Sequence, residues 1–133
     1  EHSDRISLIP FTTHCGYLEK LNTSDIVIIP LLKNNFNECK SAIRYLEAGL
    51  LEKATIASNV GEFRQAIQTG VNGILCDRHD WYESLNNIVC NDTLRASLGN
   101  EAHQNIMRNY TKSAVLGRMD SELRNMLVNG SPK

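Results

Sequence analysis

The sequence predicts an α/β fold: a parallel sheet of about four strands covered by helices, followed by a C-terminal run of helices. Three observations carry that expectation. Short apolar runs bounded by Pro, Gly and Asn alternate with longer stretches of helical period. Ile26-Val27-Ile28-Ile29 is apolar without alternation and rich in β-branched residues, the pattern of a central strand buried on both faces. From Asp80 onward the apolar residues recur only at helical spacing.

Strands are expected over residues 6–10, 25–31, 54–58 and 73–76, with helices over 15–22, 38–51 and 62–69 between them. Gly70 is placed to end the third of these helices. Val71-Asn72-Gly73 then turns the chain into the last strand, because Asn and Gly tolerate positive φ. Asp80 followed by Glu83 has the form of a capping box. Asn91 or Asp92 caps a second helix of the tail, with Leu94, Leu98, Ala102 and Ile106 on one stripe. Thr111 caps a third, carrying Val115, Met119, Leu123 and Leu127. The expected organisation is one partial domain over residues 1–128, with its core at 6–90 and its helical tail at 91–128, then a polar tail at 129–133.

A chain of 133 residues, 41% hydrophobic and 22% charged, can bury one core. Fourteen Lys and Arg against fifteen Asp and Glu leave a net charge of −1 with no basic block. The long-range field that nucleic acid or an anionic membrane requires is therefore missing. No apolar run approaches the roughly 20 residues needed to span a bilayer, and Glu1-His2-Ser3-Asp4-Arg5 is unlike the start of a secretory signal. Cys15, Cys39, Cys76 and Cys90 stand singly, which points to free thiols in a reducing cytoplasm, and no ligand spacing points to a metal.

Ligands of open α/β sheets bind at the carboxyl ends of the strands, where helix N-termini offer unpaired N–H groups to anions. Two loops fall there. Residues 31–41, Leu31-Leu32-Lys33-Asn34-Asn35-Phe36-Asn37-Glu38-Cys39-Lys40-Ser41, gather amides, a hydroxyl and two lysines in a connection longer than it needs to be. They read either as a ligand loop or as a solvated connection in which Asn37 caps the next helix. In Ser58-Asn59-Val60-Gly61-Glu62-Phe63, Gly61 permits either close approach of the backbone to a ligand or simply a tight turn. Glu47 is expected on the helical stripe of Ile43, Leu50 and Leu51, where a carboxylate needs a partner or a purpose. Arg44, three residues earlier, offers an ordinary ion pair instead. Glu38 suits the first turn of a helix as an anion. His79 and His103 have no evident partner in sequence and read as solvated or locally satisfied. No G-x-S-x-G, P-loop or G-x-G-x-x-G occurs.

Five segments in order carry a resemblance: Thr23-Ser24-Asp25-Ile26-Val27-Ile28-Ile29-Pro30-Leu31, Tyr45-Leu46-Glu47-Ala48-Gly49, Ala54-Thr55-Ile56-Ala57-Ser58-Asn59-Val60-Gly61, Thr69-Gly70-Val71-Asn72-Gly73-Ile74-Leu75 and Leu94-Arg95-Ala96-Ser97-Leu98-Gly99-Asn100-Glu101-Ala102. Over residues 6–110 the chain resembles the nucleotide-sugar-binding half of a GT-B glycosyltransferase of the group 1, or family 4, type. The resemblance implies a Rossmann-like partial donor domain of a retaining, hexosyltransferase-like enzyme with no cofactor and no metal. By the same resemblance Glu47 is the second glutamate of the family's E-x7-E motif and binds the donor ribose. Asn37, Cys39, Lys40 and Ser41, with Asn59 and Gly61, belong to the diphosphate site, and Glu38 and Glu47 are its catalytic carboxylates.

The chain also departs from the family pattern. Eight positions before Glu47 stands Cys39, and Lys40-Ser41 stands where the family usually has Gly-Phe. The loop is similar to an Asn-rich Phe-Asn-x-x-Lys-Ser version, and Glu38 either shifts into the first glutamate's place or only caps. Two further strand-helix units and an acceptor-binding domain have no counterpart in these residues. In the family's sheet another strand separates the counterparts of 6–10 and 25–31. The expectation is that these two segments pair directly here and that an exposed sheet edge favours a homodimer. The expected partners are a nucleoside-diphosphate sugar and the missing acceptor-binding domain, with no nucleic acid. The expected location is the cytoplasm, at the inner face of a membrane in a full-length enzyme. The isolated chain is expected to turn nothing over. The alternative is a noncatalytic interaction module that kept the fold, motivated by Cys39 and Lys40-Ser41. A flavodoxin-like or receiver-type domain is a weaker third.

Overall fold

A computed structural model describes residues 3–129. Three parallel strands, β1 (Ile26–Ile29), β2 (Ala54–Ser58) and β3 (Ile74–Cys76), form a sheet in the order β1-β2-β3. Ile28 pairs with Ile56 and Ile56 with Ile74 across it. Helices α1 (His14–Asn22), α2 (Asn35–Glu38), α3 (Ile43–Leu50) and α4 (Phe63–Ala66) lie before and between the strands. After the sheet come α5 (Trp81–Cys90), α6 (Asp92–Asn109), α7 (Lys112–Arg118) and α8 (Ser121–Asn129). Successive side chains of a strand face opposite ways. Ala54 and Ile56 of β2 accordingly join Ile88 and Leu98 in one core cluster, while Ala57 joins Tyr45, Phe63 and Ile106 in another.

The central strand is β2, buried along its whole length, and not the Ile26–Ile29 run that reads as central. Among the described residues β1 has a neighbour on one side only, and Ile28 is 48% exposed. The strand expected at 6–10 is not formed. That segment is irregular, with Ile6, Leu8, Ile9 and Phe11 exposed, and it does not pair with β1. Pro10 lacks the N–H that a ladder needs, and among the described residues no strand stands between the segment and β1 to carry the sheet across to it. Between them lies a groove of about 700 Å³, walled by Ile9, Pro10, Phe11, Tyr17, Leu21 and Val27. Thr13 caps α1 through the Gly16 N–H at 3.2 Å, yet α1 has no buried residue.

The helix expected over 38–51 begins only at Ile43, and a separate single turn, α2, ends at Glu38. The buried face of α3 is Tyr45, Ala48 and Gly49, not the stripe of Ile43 and Leu50, which are half exposed. Small residues win because α6 must come close: a Cβ on Gly49 would stand 2.4 Å from Ile106 Cδ1 and 3.1 Å from Ala102 Cβ. The α4 helix stops at Ala66, four residues before Gly70. Ile67 turns extended into the core, and the Asn72 side chain bonds the Ala66 carbonyl and the Gln68 N–H. Asp80 flanks α5 without a side-chain cap bond, because its own backbone is helical (φ −94°, ψ −4°) rather than extended as a capping residue requires. Asn91 caps α6 and Thr111 caps α7 as expected. The single helix expected after Thr111 is interrupted at Met119, whose backbone is extended. The Leu127 side chain and the tail beyond 129 lie outside the described residues.

Candidate functional site

Parallel strands deliver their carboxyl ends to one edge of the sheet, and there the two loops singled out in the sequence meet. The junction begins at Ser58, the last residue of β2, whose hydroxyl accepts the Leu31 N–H at 2.8 Å and so ties the loop after β1 to the end of β2. Asn34, not Asn37, caps α2, accepting the Asn37 N–H at 2.8 Å. Asn37 itself is buried, with its side-chain amide donating to the Leu32 carbonyl at 2.7 Å, so it braces the loop from within.

Gly61 makes the meeting possible. Its φ of +53° is one that L side chains rarely adopt, and a Cβ there would stand 2.9 to 3.2 Å from the carbonyls of Asn37, Glu38 and Lys40. Glycine therefore serves both the turn and the close approach, although the object approached is the other loop.

Two carboxylates lock the loops together. Glu38 accepts the Gly61 N–H at 3.0 Å and pairs with Arg64 at 2.5 Å. The Arg64 guanidinium, helped by the Gly61 N–H, holds the Glu38 carboxyl below the usual range. Arg64 also donates to the Asn59 carbonyl at 3.2 Å. Glu62 accepts the Ala42 N–H at 2.9 Å, while its own N–H donates to the Lys40 carbonyl at 3.4 Å. Ala42 is the N-cap of α3 and has no side chain able to cap, so this helix is capped from 20 residues away. Around these groups lies a polar cleft of about 370 Å³, lined by Glu38, Cys39, Lys40, Ser41, Gly61 and Arg64 among others.

Cys39 and Ser41 are exposed at the cleft, and Lys40 Nζ lies 4.9 Å from the centre of the Phe36 ring. Asn59 is half-buried, its side chain donating to Asp77 at 3.4 Å. Glu47, further along α3, accepts from Arg44 at 2.9 Å and stands 3.9 Å from His14 Nδ1, with only 13% of its side chain accessible. It does not line the polar cleft. Of the eight site residues expected from the sequence, five line that cleft: Glu38, Cys39, Lys40, Ser41 and Gly61. Asn37 supports the loop, and Asn59 and Glu47 sit to either side.

Sequence reasoning missed Glu62 and Arg64. The available signal was a pair of charges directly after Gly61 at the carboxyl end of a strand, a place where charge is seldom idle. Among the described residues no group of three or more His, Cys, Asp or Glu is arranged to hold a metal ion, and no helix is long and apolar enough to cross a membrane. All four cysteines are free, with Cys76 alone buried.

No protein-family model matches the sequence, and no curated protein matches it. Solved structures do. The C-terminal domain of a group 1 family glycosyltransferase, LpcC from Francisella tularensis, superimposes at TM-score 0.63 and 20% identity, over 80% of this chain and 53% of that one. Sucrose-phosphate synthase from Thermosynechococcus elongatus gives 0.76 at 16% identity, over 96% of this chain and 31% of that one. HepE from Anabaena, in complex with UDP, gives 0.50 at 17% identity, over 84% of this chain and 28% of that one. The chain thus spans about half or less of the length of these structures. Its fold is that of part of a GT-B glycosyltransferase, a partial Rossmann-like domain with a short parallel sheet.

Proposed function

We propose that this chain is the nucleotide-sugar donor-binding part of a retaining, hexosyltransferase-like glycosyltransferase, inactive until joined by acceptor-binding residues from outside these 133. The observation that carries the reading is the polar cleft at the carboxyl edge of the sheet, where the α3 N-terminus opens beside Lys40, Ser41 and Arg64. A helix N-terminus favours an anion, and the departing diphosphate of a sugar donor is one. In this reading Lys40, Ser41 and the amides opening α3 stabilise the charge that develops on the diphosphate as the glycosidic bond breaks. Glu47, held by Arg44 at 2.9 Å, receives the ribose hydroxyls. Glu38 orders the cleft through Gly61 and Arg64 and borders the sugar. Gly61 lines the cleft with Lys40, and Asn59 adds a polar side chain from the same loop. HepE, one of the structures of like fold, is in complex with UDP, which supports a nucleoside diphosphate as the ligand class.

The test is an amide-shift NMR titration with UDP, GDP and ADP, repeated on Glu47→Ala. Saturable shifts at residues 37–41 and around Glu47 are expected with one base, with affinity about tenfold weaker in the variant because a charged acceptor of hydrogen bonds is lost. Absence of shifts at millimolar nucleotide in the native chain would overturn donor binding by these residues.

A further inference from the structure

The α3 N-terminus is already occupied by an anion, and that anion belongs to the chain. Glu62 Oε2 accepts the Ala42 N–H at 2.9 Å at the positive end of an eight-residue helix. Its backbone N–H is tied to the Lys40 carbonyl, so the carboxylate is anchored on the rim of the cleft it enters. The second carboxylate, Glu38, spends Arg64 in the same way, through contacts of 2.5 and 3.3 Å to that guanidinium. The cleft is lined by two carboxylates, Glu38 and Glu62, and two basic side chains, Arg64 and Lys40, so its formal charges cancel. A phosphate entering it meets a helix end whose N-cap amide is taken and a basic side chain whose charge is balanced.

We propose that Glu62 is an internal competitor that sets the affinity of this cleft for phosphorylated ligands: its carboxylate holds the place of a phosphate oxygen and must swing away for a nucleoside diphosphate to bind. The inference rests on the donor-site reading and adds to it a residue that lowers affinity instead of raising it. Competition has a signature that a purely structural cap lacks. A cap that only supports α3 lowers stability and affinity together when removed. A competitor lowers stability but raises affinity.

The experiment is a calorimetric titration of UDP into the native chain, Glu62→Gln and Glu62→Ala, with a thermal melt of each to confirm folding. Gln keeps the length and a neutral acceptor for the Ala42 N–H while removing the charge, so it decides the question. The expected result is UDP binding about tenfold tighter in Glu62→Gln, from the loss of like-charge repulsion beside the phosphates, at a slightly lower melting temperature. Binding in a folded Glu62→Gln that equals or falls below that of the native chain would overturn the proposal and leave the donor-site reading standing. No binding by any of the three folded proteins would overturn both. In Glu62→Ala, tighter binding supports displacement of the cap itself, whereas binding weaker than native would count against it.

Discussion

Ile56 and Ile28 are partners across the sheet, the same residue type on the same face of adjacent strands. Ile56 is fully buried, and Ile28 is 48% exposed. The difference extends to what surrounds each. On the β2 side, the loops at the carboxyl edge cross-link through Ser58, Glu38, Arg64 and Glu62, and their glycine is packed against three carbonyls. On the β1 side, α1 has no buried residue, the preceding segment is irregular, and a groove of about 700 Å³ stands open between that segment and β1. A β-branched apolar run is equally ready for either setting. Only its neighbours decide whether it becomes core or rim.

The largest test of that contrast is a pair of truncations followed by urea denaturation. Ile56→Ala is expected to cost about 3–4 kcal/mol, as deletion of a buried isoleucine does. Ile28→Ala should cost about 1 kcal/mol or less, in keeping with half the burial. Equal costs would mean that the β1 edge is covered in solution, and would turn attention to a partner there.

The next effect in size separates strain from crowding in the latched loops. Gly61→Ala is expected to cost about 2–3 kcal/mol, since it combines a left-handed φ with three close carbonyls. Gly70, with φ +80° and open space around it, supplies the control: Gly70→Ala should cost only the conformational part, about 1 kcal/mol. If the two costs coincide, the carbonyl contacts at Gly61 yield without penalty.

A smaller effect comes from pH. Because the folded-state value of Glu38 is lowered, its contribution is whole above the ordinary glutamate value of 4.5 and is lost as pH falls through the folded value. The melting-temperature gap between the native chain and Arg64→Ala should therefore shrink between pH 7 and pH 3. A gap that widens on acidification would exclude the Glu38–Arg64 pair as its source. The smallest effect is expected at Arg44→Ala, whose exposed guanidinium pairs with Glu47. The cost should be about 0.5 kcal/mol or less in the same denaturation assay.

Much of the fold was legible along the chain, for local reasons. Alternation of apolar runs with helical period placed β2 and β3, and Asn91 and Thr111 marked the starts of α6 and α7, because a cap is an interaction within four residues. The two loops of the cleft were legible too, since the carboxyl ends of parallel strands are where ligand loops collect. Ile43 and Leu50 were expected to share a buried stripe with Glu47 and are half exposed, while Glu47 itself is largely covered and paired with Arg44, because periodicity groups residues by face without saying which face a neighbour will take. Ala48 and Gly49, small enough to admit α6, settled that. Asn37 was read as a cap or a ligand group; Asn34 caps α2 instead, and the Asn37 side chain donates to the Leu32 carbonyl in an irregular stretch whose shape no local rule fixes.

Residue order and chemistry thus determined the α/β class, most element positions, the cleft-forming loops and five of the residues that line the cleft. Tertiary structure decided that β2 and not β1 is the central strand and, together with the missing N–H of Pro10, that residues 6–10 form no strand. It also decided that Glu62 caps a helix whose N-cap residue lies 20 residues before it. The reason is common to all three. Each depends on which groups from distant parts of the chain arrive within about 3 Å of a backbone amide, and hydrogen bonds of that kind leave no period, spacing or propensity behind in the sequence.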